Sequence, residues 1–227
     1  MYIDRDIDKL MKRTQNRPLV TGLIAPKNAL VFAVILEVVA FAVLWAGANF
    51  LSAFLALSAT AFYVFIYSLW LKRTSKQNIV IGGAAGAMPT LIGWAAVTNS
   101  VGWPAVWLFI IMFLWTPPHF WALAIRHADE YRAANVPMLP VVVSIERTVR
   151  TMFCYTVVLA AATLVLMPVA NLGWIYGGTA IVLGLGFSVG TAMLGRKPTE
   201  AWSMKVFSFS ITYVTVLFGA LMVDVLV

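Results

Sequence analysis

Charge is scarce in this chain, and so are the signatures of a soluble enzyme. Of 227 residues, 16 are Lys or Arg and 9 are Asp or Glu, so 11% are charged against 62% hydrophobic. An ordinary globular domain carries about twice that charged fraction, and a mean hydropathy of +0.89 excludes one. The single cysteine, Cys154, lies in an apolar run without a partner, which excludes an intrachain disulfide and an all-cysteine metal cluster. It reads as a small packing residue. There is no His-Glu-x-x-His pair, Gly-x-Ser-x-Gly elbow, Walker loop or dinucleotide fingerprint. No basic stretch followed by a short apolar core opens the chain, so internal spans are expected to act as the insertion signals. The net charge of +7 is spread between apolar runs rather than gathered in a stripe. That pattern points to membrane orientation and away from nucleic acid.

What the chain has instead is long apolar runs. A helix needs about 20 residues to cross the hydrocarbon core, and seven segments qualify: 29–48, 50–71, 79–98, 105–125, 151–170, 173–194 and 206–227. The expected fold class is therefore all-α, a polytopic transmembrane helical bundle forming one membrane domain over 1–227. All sixteen basic residues fall in alternate gaps: before the first span, after the second (Lys72, Arg73, Lys76), after the fourth, and after the sixth. The gaps at Asn49, Asn99-Ser100, Asn171-Leu172-Gly173 and the C-terminus hold none. The positive-inside rule places the basic face in the cytoplasm.

Two acidic clusters share that face. In Met1–Pro18, Asp4 and Asp8 are four residues apart; on a helix they lie one turn above the other, while Asp6 points roughly the opposite way. Arg13 and Arg17 repeat the spacing. Paired carboxylates beside paired guanidiniums suit a magnesium-bridged diphosphate, because magnesium takes one or two carboxylates plus phosphate oxygens and waters. The plain alternative is a solvated interfacial helix with an Asp8–Lys12 pair. The second cluster, Asp129-Glu130, lies in the long loop 126–150, whose length suggests function or partial helicity. Lys72 and Arg73 serve either the phosphate charge or membrane anchoring.

Inside the spans, Glu37 is an acidic group at mid-span, where such a group normally faces the bundle interior. Gly82-Gly83-Ala84-Ala85-Gly86 has small-residue spacing for close helix packing. Pro117-Pro118 is expected to kink or open the fourth span just before His119. His119 reads either as a structural donor or, among Trp115, Phe120 and Trp121, as a cavity-lining haem ligand or proton-transfer group.

Several stretches together resemble the protohaem IX farnesyltransferases, a branch of the UbiA-type intramembrane prenyltransferases. These are Asp4-x-x-x-Asp8, Lys12-Arg13-Thr14, Asn16-Arg17-Pro18, the run Asn78 to Gly86, Trp115-Thr116-Pro117-Pro118-His119-Phe120-Trp121, Asp129-Glu130-Tyr131 and Pro137-Met138-Leu139-Pro140. The resemblance covers essentially the whole chain, and the Trp115–Trp121 stretch is its most specific part. It implies magnesium-dependent transfer of farnesyl from farnesyl diphosphate to the 2-vinyl group of haem b, with water added, giving haem O. The implied catalytic residues are Asp4, Asp8, Asp129 and His119, with Asp4, Asp8, Asp129 and Glu130 holding metal. Arg13, Arg17, Lys72, Arg73, Arg126, Trp115, Phe120, Trp121 and Tyr131 are the implied substrate-binding residues. Expected partners are farnesyl diphosphate, haem b and the lipid bilayer, with haem A synthase or terminal-oxidase assembly proteins beside them, in a bacterial inner membrane with the active-site loops cytoplasmic.

Two features depart from the family pattern. The family motif begins with an Asn that would precede Met1, and the family bundle has nine spans, so the N-terminal one to two helices are expected to be missing. The second acidic motif has Ala133 where the wider superfamily has an aspartate. The competing readings are prenylation of a quinone precursor or other aromatic acceptor, and an inactive membrane protein with a transport or assembly role.

Overall fold

The computed structural model describes all residues from Met1 to Val227 and contains helices only. In chain order they are α1 (Arg5–Leu10), α2 (Pro18–Thr21), α3 (Pro26–Gly47) and α4 (Phe50–Ala61), a π-helical segment (Phe62–Leu71), then α5 (Lys72–Thr74), α6 (Asn78–Thr98) and α7 (Trp103–Arg126). The series ends with α8 (Ala128–Ala133), α9 (Leu139–Val142), α10 (Ile145–Ala170), α11 (Trp174–Arg196) and α12 (Glu200–Leu226). Seven helices are long and apolar enough to cross a membrane, the second running unbroken over Phe50–Thr74. This is an integral membrane protein.

The spans start and stop where their caps lie, which is not always where hydropathy changes. Ser144 accepts from Arg147 N at 3.3 Å, so α10 begins six residues before the apolar run and carries Glu146, Arg147 and Arg150 in its first turns. Thr199 caps α12 in the same way at Trp202 N, again six residues early. Asn99 and Asn171 end α6 and α10 in the left-handed conformation at φ 50° and 52°, which asparagine tolerates better than most residues. The expected break at Pro117-Pro118 does not end α7, which continues to Arg126. Each proline removes one intrahelical N–H donor but leaves the helix intact on both sides.

The residues pack as two compact units: Met1–Val101 with His127–Val141, and Gly102–Arg126 with Val142–Val227. In the first, α3 packs on α4, while α4 and the π-segment pack on α6. A Cβ at Gly82 would overlap the ring of Tyr67, so this glycine lets the π-segment lie against the α6 backbone. Glu37 is half-buried on α3 and takes part in none of the ion pairs.

The second unit is a ring of four helices, α7–α10–α11–α12, each packed on two neighbours. Its core holds Ile111, Met152, Leu159, Phe187 and Tyr213, all fully buried. Tyr176 donates to Thr163 O at 3.0 Å, giving one buried hydroxyl a partner. At Gly184 a Cβ would come within 2.8 Å of Ala160, so glycine sets the close approach of α11 to α10. Cys154 is exposed on α10 and is not the packing residue its apolar surroundings suggest. In a span, an apolar run says that a side chain avoids water, not that it is inside the protein.

Candidate functional site

Helix α1 is short, but its two faces are sharply different. Positions 4, 7, 8 and 11 fall on one side at 100° per residue, and Asp4, Ile7, Asp8 and Met11 are all buried, at 7%, 5%, 4% and 3% exposure. Asp4 N-terminally flanks the helix, and its carbonyl accepts from Asp8 N at 2.8 Å, so the two aspartates are one turn apart. Buried carboxylates need partners, and both have cations. Lys72 Nζ reaches Asp4 Oδ2 at 2.7 Å; Arg17 Nη1 reaches both oxygens of Asp8, at 2.9 and 2.8 Å. The Asp8–Lys12 pair does not form.

Asp6 takes the opposite face, as the spacing predicts. Arg73 holds it with a two-pronged pair at 2.6 and 2.8 Å and also donates to Ile3 O at 2.9 Å. That guanidinium keeps the Asp6 carboxyl well below the usual carboxylate range. Lys72 and Arg73 therefore each fix a different aspartate, beyond any anchoring role. Thr14, which composition alone does not single out, is buried and donates to Asp8 O at 2.9 Å, closing the turn after α1.

Arg13 connects the two acidic clusters. Its backbone N–H donates to Glu130 Oε2 at 3.4 Å and its Nη2 to the Tyr131 hydroxyl at 3.4 Å. Glu130 also faces His127 Nδ1 at 3.3 Å. Asp129 does not join them: its side chain is 96% exposed and pairs with Arg132 on α8. Arg126 is exposed at the end of α7 and enters no ion pair.

Among His, Cys, Asp and Glu side chains, no group of three or more converges on one metal position. The fit to magnesium rests on Asp4 and Asp8. Asp4 Oδ1 is buried and has no hydrogen-bond partner, which leaves a carboxylate oxygen of the kind magnesium takes. Two carboxylates suffice for that ion where phosphate oxygens and waters complete its shell.

Two further residues of this unit carry signals that apolar patterning conceals. Tyr67 stacks near Tyr63, their ring centres 5.3 Å apart, and its ring fills the space left by Gly82. It is five residues before Lys72, one hydrogen-bonded step of a π-helix. Asn78, at the start of α6, is fully buried with neither side-chain polar atom partnered.

In the second unit, the ring of His119 is nearly parallel to Trp115 at 4.2 Å and to Phe207 at 4.6 Å. Two stacked rings at those distances must cover opposite faces, so only the imidazole edge remains free. Its Nδ1 meets Ser210 Oγ at 2.6 Å, and Ser210 Oγ donates to Phe207 O at 2.5 Å. With the hydroxyl proton on the Phe207 carbonyl, a neutral His119 donates Nδ1–H to Ser210 and Nε2 keeps its lone pair, a tautomer assigned from the network. Trp115 Nε1 donates to Ser210 O at 2.7 Å.

The expected aromatic wall of Trp115, Phe120 and Trp121 is not one surface. Phe120 is 39% exposed, whereas Trp121 is 1% exposed, edge-on to Tyr155, with an unpartnered Nε1. Phe207 and Ser210, contributed by α12, complete the surroundings of His119. Nothing near them in sequence marks them.

Comparison with known proteins bears on the family and the fold. The family model described as the UbiA prenyltransferase family matches residues 1–220. A protein of Gloeobacter violaceus named protoheme IX farnesyltransferase is 54% identical over 223 residues, covering 98% of this chain and 73% of its own length. One of the same name from Pseudarthrobacter chlorophenolicus is 51% identical over 228 residues, with 98% and 72% covered. Another, from Frankia casuarinae, is 48% identical over 229 residues, with 100% and 79% covered. A solved structure concerning digeranylgeranylglyceryl phosphate synthase superposes with a TM-score of 0.79 at 19% identity, covering 98% of this chain and 77% of that one. At that identity it speaks for the fold alone.

Proposed function

We propose an activity for this chain from the premise that it belongs to the UbiA prenyltransferase family, in its protohaem IX farnesyltransferase branch. The chain transfers a farnesyl group from farnesyl diphosphate to the 2-vinyl group of haem b, with addition of water, to give haem O. The observation that carries this reading is the identity of about one half, over nearly the whole chain, to proteins named for that reaction.

The chemistry follows from what each unit offers. In the first, Asp4 and Asp8 would hold magnesium, which neutralises charge on the departing diphosphate when bound. Lys72 and Arg17 lie against those carboxylates, so positive charge stands beside the place where phosphate oxygens would be held. Arg13 and Tyr131 hold the second cluster to the first. As the C1–O bond of farnesyl diphosphate breaks, C1 develops allylic cation character. The haem vinyl group supplies the electron pair for the new C–C bond, and water captures the resulting cation, losing a proton to the released diphosphate, to leave the hydroxyl.

In the second unit, His119 presents an unprotonated Nε2 held in a fixed plane by Trp115 and Phe207. This suits a ligand to the iron of the haem substrate, which takes neutral imidazole. The basic face carrying α1 lies in the cytoplasm of a bacterial inner membrane, in keeping with the placement of all sixteen cations.

An acceptor competition tests the proposal. Purified chain receives isotopically labelled farnesyl diphosphate and equal amounts of haem b and an aromatic quinone precursor. Label on haem is expected; label on the aromatic acceptor alone would assign the chain to a different prenyl transfer.

A further inference from the structure

The outer face of α1 borders a second site that the transfer reaction does not use. At 100° per residue, positions 5, 6 and 9 lie on the side of α1 away from the buried Asp4 and Asp8, and with Tyr2, which precedes the helix, they line a cleft of about 440 Å³. That volume falls within the range of about 300–1,000 Å³ typical of small-molecule sites. Arg73 forms part of its wall, and Leu19 and Val20 of α2 add apolar surface.

Its electrostatics are one-sided. The only acid in the cleft, Asp6, is committed to Arg73 through both oxygens. Arg5 is fixed in position: its Nε donates to Tyr2 O at 3.1 Å and its guanidinium lies 4.9 Å from the centre of the Tyr2 ring. Both terminal nitrogens of Arg5 remain available, because that Nε bond is the one hydrogen bond its side chain makes. Lys9, one turn further along, has no ion-pair partner. Two cations at i, i+4 spacing therefore face the same cavity without a counter-charge.

We propose that this cleft binds a phosphate-bearing anion, supplied by the headgroup of an anionic membrane phospholipid. Arg5 and Lys9 take the phosphate, and Arg73, locked by Asp6, braces the wall. The residues between the cleft and the first span favour the lipid source. Leu23 and Ile24 are 81% and 44% exposed just before α3 begins its apolar span, and exposed apolar side chains beside Leu19 and Val20 suit acyl chains rather than water. A free phosphate would use the cations and leave that apolar border without a role.

The test uses the full chain purified in detergent, incubated with phosphatidylglycerol or phosphatidylcholine, with bound lipid counted by native mass spectrometry. The parent is expected to retain phosphatidylglycerol over phosphatidylcholine, and an Arg5→Gln/Lys9→Gln variant to lose that preference by on the order of ten-fold. A Lys12→Gln/Lys27→Gln variant, with the same change in charge away from the cleft, is expected to keep it. If both variants lose the preference equally, or neither does, the lipid is attracted by overall charge and the site is refuted. Inorganic phosphate in excess separates the two sources. Retention of phosphatidylglycerol against it supports the headgroup, whereas displacement assigns the cleft to free phosphate and overturns the lipid source. If the double variant fails to fold, Lys9→Gln alone decides, since Lys9 makes no ion pair; unchanged retention in it would refute the site.

Discussion

At the scale of single residues, the proposed diphosphate site depends on two ion pairs, Asp4–Lys72 and Asp8–Arg17, at α1 and its N-terminal flank. Asp8 is 4% exposed and Arg17 is its sole cation. Removing that cation leaves a buried charge uncompensated. Because Arg17 itself is 40% exposed, solvent reaches part of the pair, and Arg17→Gln is expected to cost about 1–3 kcal/mol. Thermal unfolding in detergent checks this, and addition of Asp8→Asn to Arg17→Gln is expected to restore most of the loss. A second expectation concerns His119. If its free Nε2 holds the haem iron, His119→Ala shifts the haem absorption spectrum of the loaded protein, and an unaltered spectrum would argue against ligation. Most of this level was legible in the sequence. The four-residue spacing places Asp4 and Asp8 together and turns Asp6 away, because the helical period alone sets which side chains share a face. The partners were not legible: Arg17 rather than Lys12 pairs with Asp8, and Ser210 lies 91 positions from His119. Such pairings are set by tertiary approach, which local spacing does not encode. Asp129 shows the same limit, since its motif position does not reveal that the carboxylate faces solvent.

At the scale of elements, the sequence locates every span but misjudges where several begin. Hydropathy reports the thickness of the bilayer, whereas helices end at caps, so α10 and α12 extend beyond it by their polar first turns. The proline pair in α7 illustrates a different effect. Loss of two backbone donors costs local hydrogen bonding, yet the flanking turns remain paired, and packing on α10 and α12 maintains the helix. The π-segment is the least predictable element, because its residues are as apolar as those of any span. Its register depends on Gly82, whose missing Cβ is replaced by the Tyr67 ring. Gly82→Val is therefore expected to destabilise the first unit by about 1–3 kcal/mol and to reduce turnover, since Lys72 follows directly on the segment that carries Tyr67. Unfolding midpoints and product formation measure the two effects separately; full activity with parental stability would show that the close approach is dispensable.

At the scale of the whole molecule, composition alone excludes a soluble domain, and seven helices of spanning length are present. The grouping of these helices into two compact units was not legible, because the apolar faces of membrane helices do not distinguish a helix neighbour from lipid. Helix α3 is the clearest case: none of its residues is buried, although its composition matches that of the spans that are. The placement of chemistry matches the units closely, with the aspartates and their cations in one and the His119 sandwich in the other. The chain also spans 71% to 79% of the length of relatives named for the reaction. The most direct measurement is haem O itself: this chain is expressed in cells lacking haem O synthesis, and membrane haems are separated by chromatography and identified by mass. Haem O is predicted with the parent chain and not with Asp8→Asn at equal membrane abundance. Haem b alone, with the parent chain folded and present in the membrane, would contradict the proposed transfer.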